Sequence, residues 1–138
     1  MKSGLKKIGI VVFCCFFLKG CLFGAGLVEQ EITGDYWLLA NGYLDEMSIW
    51  HFPGNHKSNL IVGETVFEVG HNKDFIIAKR HPKDSTNGVN KKVTFYHLIK
   101  ISETGESNDL TYEQYLNKRK ELNVPEELDF DTVFQELK

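Results

Sequence analysis

Five histidines are the side chains best suited to metal binding or acid–base catalysis, but only two of them are close in sequence. His51 and His56 lie on either side of a Pro-Gly turn. A zinc site takes three or four ligands, and two of them often lie close together on one element. No His-x-His, His-Glu-x-x-His or cysteine pair accompanies them, so turn and surface histidines are favoured over a metal site. The five are His51, His56, His71, His81 and His97.

Carboxylates are the second candidate for chemistry. Asp35, Asp45, Glu46 and Asp74 fall at predicted strand ends and turns, where acidic side chains commonly bond to nearby backbone amides. The sequence contains no Gly-x-Ser-x-Gly motif, no cysteine after residue 21 and no glycine-rich phosphate loop. We therefore predict no catalytic residue, no metal and no cofactor. A secreted hydrolase that uses scattered Asp, Glu and His residues remains an alternative, because catalytic geometry is spatial.

Aromatic side chains give the clearest indication of a binding surface. Trp37, Tyr43, Trp50, Phe52 and Tyr96 are candidates for such a surface, because Trp and Tyr are common anchors at interfaces. The alternative is that aromatic side chains fill the core of a small domain. The core is favoured for Phe67, Phe75, Phe95 and Phe134.

The N-terminus predicts export. Lys2, Lys6 and Lys7 make a positive start, and residues 8–18 follow as an apolar run. As a helix this run would be about 16 Å long, whereas the hydrocarbon core of a bilayer is about 30 Å thick. A charged start before a short apolar run is typical of a secretory signal peptide. We predict the signal peptide at residues 1–20.

The apolar run ends in Leu18-Lys19-Gly20-Cys21, with a leucine three residues before the cysteine and a small residue directly before it. This resembles the lipobox of bacterial lipoproteins, although Lys19 stands where a small or apolar residue is usual. The resemblance implies that Cys21 takes a diacylglycerol and becomes the new N-terminus, and that fatty acids such as palmitate anchor the protein. Two or three acyl chains anchor firmly, at about 0.8 kcal/mol per buried methylene.

Two alternatives to lipidation remain open. An ordinary signal peptide could be cut near the small residues Gly24-Ala25-Gly26, or the leader could stay as an uncleaved anchor. Cys14 and Cys15 lack a small residue directly before them and fit the apolar part of the signal. The favoured prediction is an exported protein that is held at Cys21 in the cell membrane or the outer membrane.

Charge argues against two classes of partner. The first 20 residues hold four of the 16 basic side chains and none of the 19 acidic ones, so residues 21–138 have a formal charge of about −7. An acidic surface argues against nucleic acid and against adhesion to anionic lipid by charge alone.

All three cysteines lie at or before Cys21, so the exported part has no disulfide. We expect a monomer with a possible envelope protein as partner.

Strand patterns dominate the middle of the chain. Residues 36–40 and 47–52, with Asn41-Gly42 after the first of them, predict a β-hairpin. Residues 75–79 are apolar on both faces, which is typical of a central strand. Residues 82–90 are polar and predict an exposed loop. Further strands are predicted at residues 59–62, 65–69 and 91–102.

The period changes to a helical one near the C-terminus. Thr111 and Gln114 have the spacing of a capping box, and a helix follows that carries the basic run Lys118-Arg119-Lys120, for which a solvated face is favoured over a partner contact. A second helix is predicted from Asp129, with its apolar face at Phe130, Val133, Phe134 and Leu137.

The fold class is therefore α+β. We predict a meandering antiparallel sheet of about five to six strands followed by C-terminal helices, in one domain at residues 34–138 after a tether at residues 21–33.

The whole exported part resembles a class of small uncharacterised bacterial lipoproteins. The resemblance rests on four segments: the lipobox, Gly34-Asp35-Tyr36 with Asn41-Gly42-Tyr43, the strand at residues 74–79, and the tail from Tyr112-Glu113-Gln114-Tyr115 to Asn123-Val124-Pro125. That class has no assigned activity. We predict a membrane-anchored cell-envelope lipoprotein with a non-enzymatic binding domain, whose interaction surface includes Trp37, Tyr43, Trp50 and Phe52. An immunity or inhibitor lipoprotein against an envelope-acting toxin or hydrolase is the narrower alternative.

Overall fold

The computed structural model describes residues 27–103 and 105–138, and two four-stranded antiparallel sheets make up most of them. The predicted signal peptide and Cys21 lie outside the described residues. Sheet A is a meander of four consecutive strands. They are β1 (Val28–Thr33), β2 (Tyr36–Ala40), β3 (Ser48–His51) and β4 (Asn59–Val62).

The remaining strands are β5 (Val66–His71), β6 (Phe75–Arg80), β7 (Lys83–Asp84), β8 (Gly88–Val89), β9 (Phe95–Lys100) and β10 (Thr132–Val133). Sheet B has the strand order β10-β5-β6-β9, and β7 and β8 form a separate small hairpin. The described part of the chain has one α-helix, α1 (Tyr112–Glu121). None of the described helices has the length and hydropathy of a membrane span.

The elements form three layers. Leu38 and Ile49 from sheet A pack with Ile76 from sheet B in the main core. On the other face of sheet B, Ile77 packs with Tyr115 of α1 in a second core. Sheet B is therefore buried on both faces, and the prediction of a central strand at residues 75–79 is confirmed by β6, which lies between β5 and β9. The outer face of sheet A is left facing solvent.

Two of the four predicted core phenylalanines are buried. Phe67 and Phe75 are 3% and 7% exposed. Phe134 is half-buried against the main core, and Phe95 is half-buried with the Arg80 guanidinium over its ring. Apolar alternation along the strands thus places Phe67 and Phe75 in the core correctly, whereas Phe95 and Phe134 lie at its border, partly exposed to solvent.

The predicted second C-terminal helix is wrong. The segment runs extended instead, with the Asp131 N–H donating to the Val69 carbonyl at 3.1 Å and the Phe134 N–H to the Phe67 carbonyl at 2.8 Å. The edge of β5 needs backbone partners, and a short isolated helix is only marginally stable in water. Strand pairing therefore overrides the helical spacing of the apolar residues, and the described residues contain one α-helix where two were predicted.

Other features also differ from prediction. The described strands form two four-stranded sheets and a two-stranded hairpin, not one sheet of about five to six strands, and the predicted loop at residues 82–90 contains that hairpin. Residues 28–33, assigned to the tether, form β1 and pair along β2. Asn41-Gly42 does not make a two-residue turn, because the loop that follows β2 contains a 3₁₀ helix at Leu44–Glu46. The Glu46 carboxylate accepts the Gly42 N–H at 2.8 Å and the Tyr43 N–H at 3.2 Å. This side-chain cap stabilises a wider connection than the dipeptide indicates.

The predicted capping box at the start of α1 is confirmed. The Gln114 N–H donates to Thr111 Oγ1 at 3.2 Å, and the Thr111 N–H donates to Gln114 Oε1 at 2.8 Å. Arg119 corrects the prediction of a solvated basic face, because its guanidinium donates to the Leu128 and Pro125 carbonyls at 3.0 and 2.8 Å. It ties α1 to the segment that follows it, residues 122–138, which we call the tail.

Replacing Thr111 with alanine is expected to lower the free energy of unfolding by about 1 kcal/mol, because an orphan amide loses its acceptor. Urea titration monitored by circular dichroism measures this change. Thr111→Ser keeps the hydroxyl and is the matched control, and it should stay close to wild type. A loss of equal size in both variants would contradict the role of the cap.

Candidate functional site

The outer face of sheet A brings two predicted surface residues together. Trp37 and Trp50 are directly opposite each other on β2 and β3, and both are half-buried. Leu39 on β2 and Leu60 on β4 lie on the same side, since Leu60 is the partner of Trp50. The Trp50 indole N–H donates to Ser48 Oγ at 2.9 Å and so fixes its ring. Alternation along each strand puts this apolar set on the face opposite the core.

Phe52 extends the set, whereas Tyr43 and Tyr96 do not. The Phe52 N–H donates to the Asp35 carbonyl at 2.8 Å, which continues the β-ladder and places its ring on the Trp50 side. Tyr43 is 73% exposed but lies in the loop at the opposite end of the hairpin. Tyr96 is in sheet B and stacks on Tyr115 with ring centroids 5.1 Å apart. We call Trp37, Leu39, Trp50, Phe52 and Leu60 the aromatic face.

Two carboxylates border the aromatic face on the β1 side. Glu31 is the cross-strand partner of Trp37, and Glu29 is the partner of Leu39, so both side chains are on the outer side of the sheet. Both are exposed, and neither makes an ion pair within residues 27–103 and 105–138. The surface therefore combines apolar anchors with unpaired negative charge along one edge.

A second candidate site is a polar network between sheet B and the loop before α1. Arg80 binds the Asp109 carboxylate with two hydrogen bonds, Nε to Oδ1 at 2.7 Å and Nη2 to Oδ2 at 2.6 Å. Asp109 Oδ1 also lies 2.9 Å from Nε2 of His97, although the ring N–H does not point directly at it. His97 Nδ1 is 3.0 Å from Ser107 Oγ. The Ser107 hydroxyl, the His97 imidazole and the Asp109 carboxylate thus lie next to one another in space, in the order of the groups of a proton relay.

The electrostatics of this network weaken it as a relay. His97 is 1% exposed, and burial lowers the pKa of its imidazole to about 4, with Arg80 adding to the effect. The hydrogen bonds from Arg80 hold the pKa of Asp109 below its usual value. His97 is therefore a weak base at neutral pH, and the carboxylate that would stabilise its charged form already neutralises Arg80.

The other histidines serve packing or lie on the surface. His51 stacks on Tyr36 with ring centroids 4.3 Å apart, and His81 stacks on Phe67 at 4.1 Å. His56 and His71 are exposed. Among the described residues, no three His, Cys, Asp or Glu side chains are grouped so that they could hold a metal ion.

Residues 31–134 match the family described as Protein of unknown function (DUF3997). The chain belongs to this family. No curated protein and no solved structure matched the chain. The matched residues include the whole aromatic face and the whole network of Arg80, His97, Ser107 and Asp109, so both candidate sites belong to the DUF3997 domain itself.

The polar network of the DUF3997 domain was missed by sequence analysis. Arg80, Ser107 and Asp109 match no motif, and their contacts depend on a loop that folds back over β9. The one available signal was His97, which lies between Phe95 and Ile99 on the alternating apolar face of the predicted strand and needs a polar partner if it is buried. The loop is held further by the Ser107 N–H, which donates to the Ile61 carbonyl of sheet A at 3.0 Å.

Asp109→Ala is expected to lower the free energy of unfolding by about 2 kcal/mol, because it leaves a half-buried guanidinium without its carboxylate. Urea denaturation followed by tryptophan fluorescence measures the loss. Asp74→Ala is the control, since its side chain is 60% exposed and, among the described residues, its one ion pair is the 4.0 Å contact with Lys73. Equal effects of the two substitutions would contradict a structural role for the network.

Proposed function

We propose that this DUF3997 protein is a lipid-anchored cell-envelope lipoprotein that binds a protein partner through the aromatic face. The supporting observation is the Trp37–Trp50 pair on the solvent side of sheet A, with Leu60 at 41% exposure beside it. Trp side chains supply large apolar contact area and are enriched among the residues that dominate binding energy. The other sheet is covered on both faces, so sheet A is the one that offers such a surface among the described residues.

The anchor supports the same proposal by restricting where the face can act. Val28 is seven residues after Cys21, so β1 begins within about 25 Å of a lipid attached there. A partner reached from this position is another envelope component, and an envelope-acting toxin or hydrolase is one such class. The acidic charge gives no attraction to anionic lipid, which leaves the acyl chains as the source of membrane attachment.

Intact mass and membrane fractionation test the anchor, with Cys21→Ser beside the wild type and Cys15→Ser as the matched control. We expect a diacylglycerol mass on a fragment that begins at residue 21. That mass should disappear in Cys21→Ser and persist in Cys15→Ser. A soluble, unmodified product cut near residue 26 would contradict the anchor.

Site-specific photo-crosslinking in the producing cells tests the face. A photoreactive phenylalanine analogue at position 60 should give a discrete protein adduct, and Trp50→Ala in the same chain should reduce its yield about tenfold by removing an anchor. The same analogue at position 112, on the exposed side of α1, is the control. An adduct of equal yield at both positions, or an adduct indifferent to Trp50, would refute binding through the aromatic face.

One observation favours a second candidate, hydrolysis of an acyl ester. Ser107 Oγ is 3.0 Å from His97 Nδ1 and borders a small cavity of about 130 Å³. A fluorophosphonate probe tests this candidate, because it forms a covalent bond with an activated serine. Labelling that is lost in Ser107→Ala and persists in the neighbouring Ser102→Ala would support hydrolysis. The weak base and the neutralised aspartate lead us to expect no labelling.

A further inference from the structure

Strand β1 is an open edge of sheet A. The sheet order places it outermost, and no strand of the described residues pairs with its other side. Glu29, Gln30 and Glu31 in its middle are all exposed. An exposed edge strand presents unpaired N–H and C=O groups, and these can pair with a strand from another chain.

The other strand edges of the two sheets are short or covered. At the edge of β4, the Ile61 carbonyl accepts a hydrogen bond from the Ser107 N–H. The edge of β9 is bridged by Leu110, which exchanges backbone hydrogen bonds with Tyr96 at 2.9 and 3.0 Å. Strand β10 has only two residues. Within residues 27–103 and 105–138, β1 is therefore the long edge without cover.

The charges on β1 select what can pair with it. Glu29 and Glu31 project from the outer side, and a second copy of β1 would bring like charges together across the new ladder. Self-pairing is thereby disfavoured, whereas a strand with basic residues at alternate positions would be attracted. The register irregularity between Glu31 and Thr33 limits regular pairing to residues 28–31.

We propose that the partner contributes an extended basic segment, which adds to sheet A along β1 as a fifth strand. Its Lys or Arg side chains, spaced two residues apart, would lie opposite Glu29 and Glu31 at the border of the aromatic face. Backbone hydrogen bonds supply affinity in strand addition, and alternate side chains supply specificity. This inference rests on the proposed function and names the partner's recognition element at the same surface.

Labelled hexapeptides test the inference on the full chain in neutral detergent micelles, with fluorescence anisotropy as the measurement. Lys-Val-Lys-Val-Lys-Val should bind at least about tenfold more tightly than the block isomer Lys-Lys-Lys-Val-Val-Val or the Glu-Val analogue. N-methylation of one alternate set of amides should abolish binding, and methylation of the other set should not. Only a peptide that pairs as a strand distinguishes the two sets.

A double charge reversal gives the matched protein control. Glu29→Lys with Glu31→Lys should shift the preference to the Glu-Val peptide, whereas Glu113→Lys with Glu121→Lys on α1 should leave it unchanged. Equal binding of the block isomer, equal effects of both methylation patterns, or equal effects of both charge reversals would overturn strand addition. If the crosslink at position 60 forms while the alternating peptide fails, this inference alone is wrong and the proposed function stands.

Discussion

Gly70→Ala is expected to lower the free energy of unfolding by about 3 kcal/mol, at the upper end of the usual effect of overpacking. A Cβ atom at position 70 would overlap the carbonyl oxygen of Asp129, and it would lie 2.8 Å from that carbonyl's carbon and 3.2 Å from Ile77 Cγ1. The obstacle on one side is backbone, which cannot rotate away as a side chain can. The tail must therefore move off β5.

The movement would weaken a specific set of hydrogen bonds. The Asp131 N–H to Val69 carbonyl bond and the pairing of β10 with β5 lie directly beside Gly70. Their loss would expose the edge of β5 and loosen the packing of the tail against sheet B. Hydrogen exchange should locate the effect, with faster exchange at residues 131–134 than in the wild type.

Urea denaturation measures the total change, and Gly63→Ala is the matched control. A Cβ atom at Gly63 meets nothing within 4 Å. We expect the control to remain within about 0.5 kcal/mol of wild type. If Gly70→Ala were as stable as this control, close contact between the tail and β5 would be disproved.

The regular strands were predictable because each carries its own pattern. Strands β2 and β6 begin at the residues where their apolar patterns begin, since burial on one or both faces leaves a local record in the sequence. The apolar pattern of the tail was misleading. Phe130, Val133 and Phe134 have helical spacing, but the decisive factor was the unpaired edge of β5, which is about 60 residues away in sequence.

The two candidate sites differ in the same way. Trp37 and Trp50 could be named as surface candidates by residue type, but the register that sets them opposite each other depends on a loop wider than the Asn41-Gly42 turn that the sequence predicts. Arg80 and Asp109 could not be paired, because their contact depends on how a loop folds across sheet B. Sequence patterns fix local faces, whereas polar networks between distant segments depend on the completed fold.

The second large effect concerns acid stability. His97 titrates at about 4 in the folded protein, compared with 6.5 for an unperturbed imidazole. The unfolded chain therefore binds a proton more readily than the folded one. The contribution of neutral His97 to the free energy of unfolding is complete above pH 6.5 and falls as the pH decreases toward 4. Between about pH 7.5 and about pH 5 the free energy of unfolding should fall by about 2 kcal/mol through this residue.

The groups around His97 determine the size of that loss. Burial is the largest cause of its lowered pKa, and the positive charges of Arg80 and Lys118 act in the same direction. Asp109 opposes them, but its carboxylate is shared with Arg80. Protonation would place a cation in the interior beside a guanidinium, and no second carboxylate approaches the ring within the described residues. Desolvation therefore dominates over the attraction to Asp109.

Urea titrations at a series of pH values test the prediction with His97→Gln and the exposed control His56→Gln. His97→Gln removes the titrating ring, so its stability should change with pH by about 2 kcal/mol less than that of the wild type over this window. His56→Gln should retain the wild-type slope. The slope, unlike the absolute stability, is insensitive to any packing defect that the substitution introduces. Parallel curves for wild type and His97→Gln would show that His97 is accessible to protons in the folded state, which would remove the main objection to Ser107 as a nucleophile.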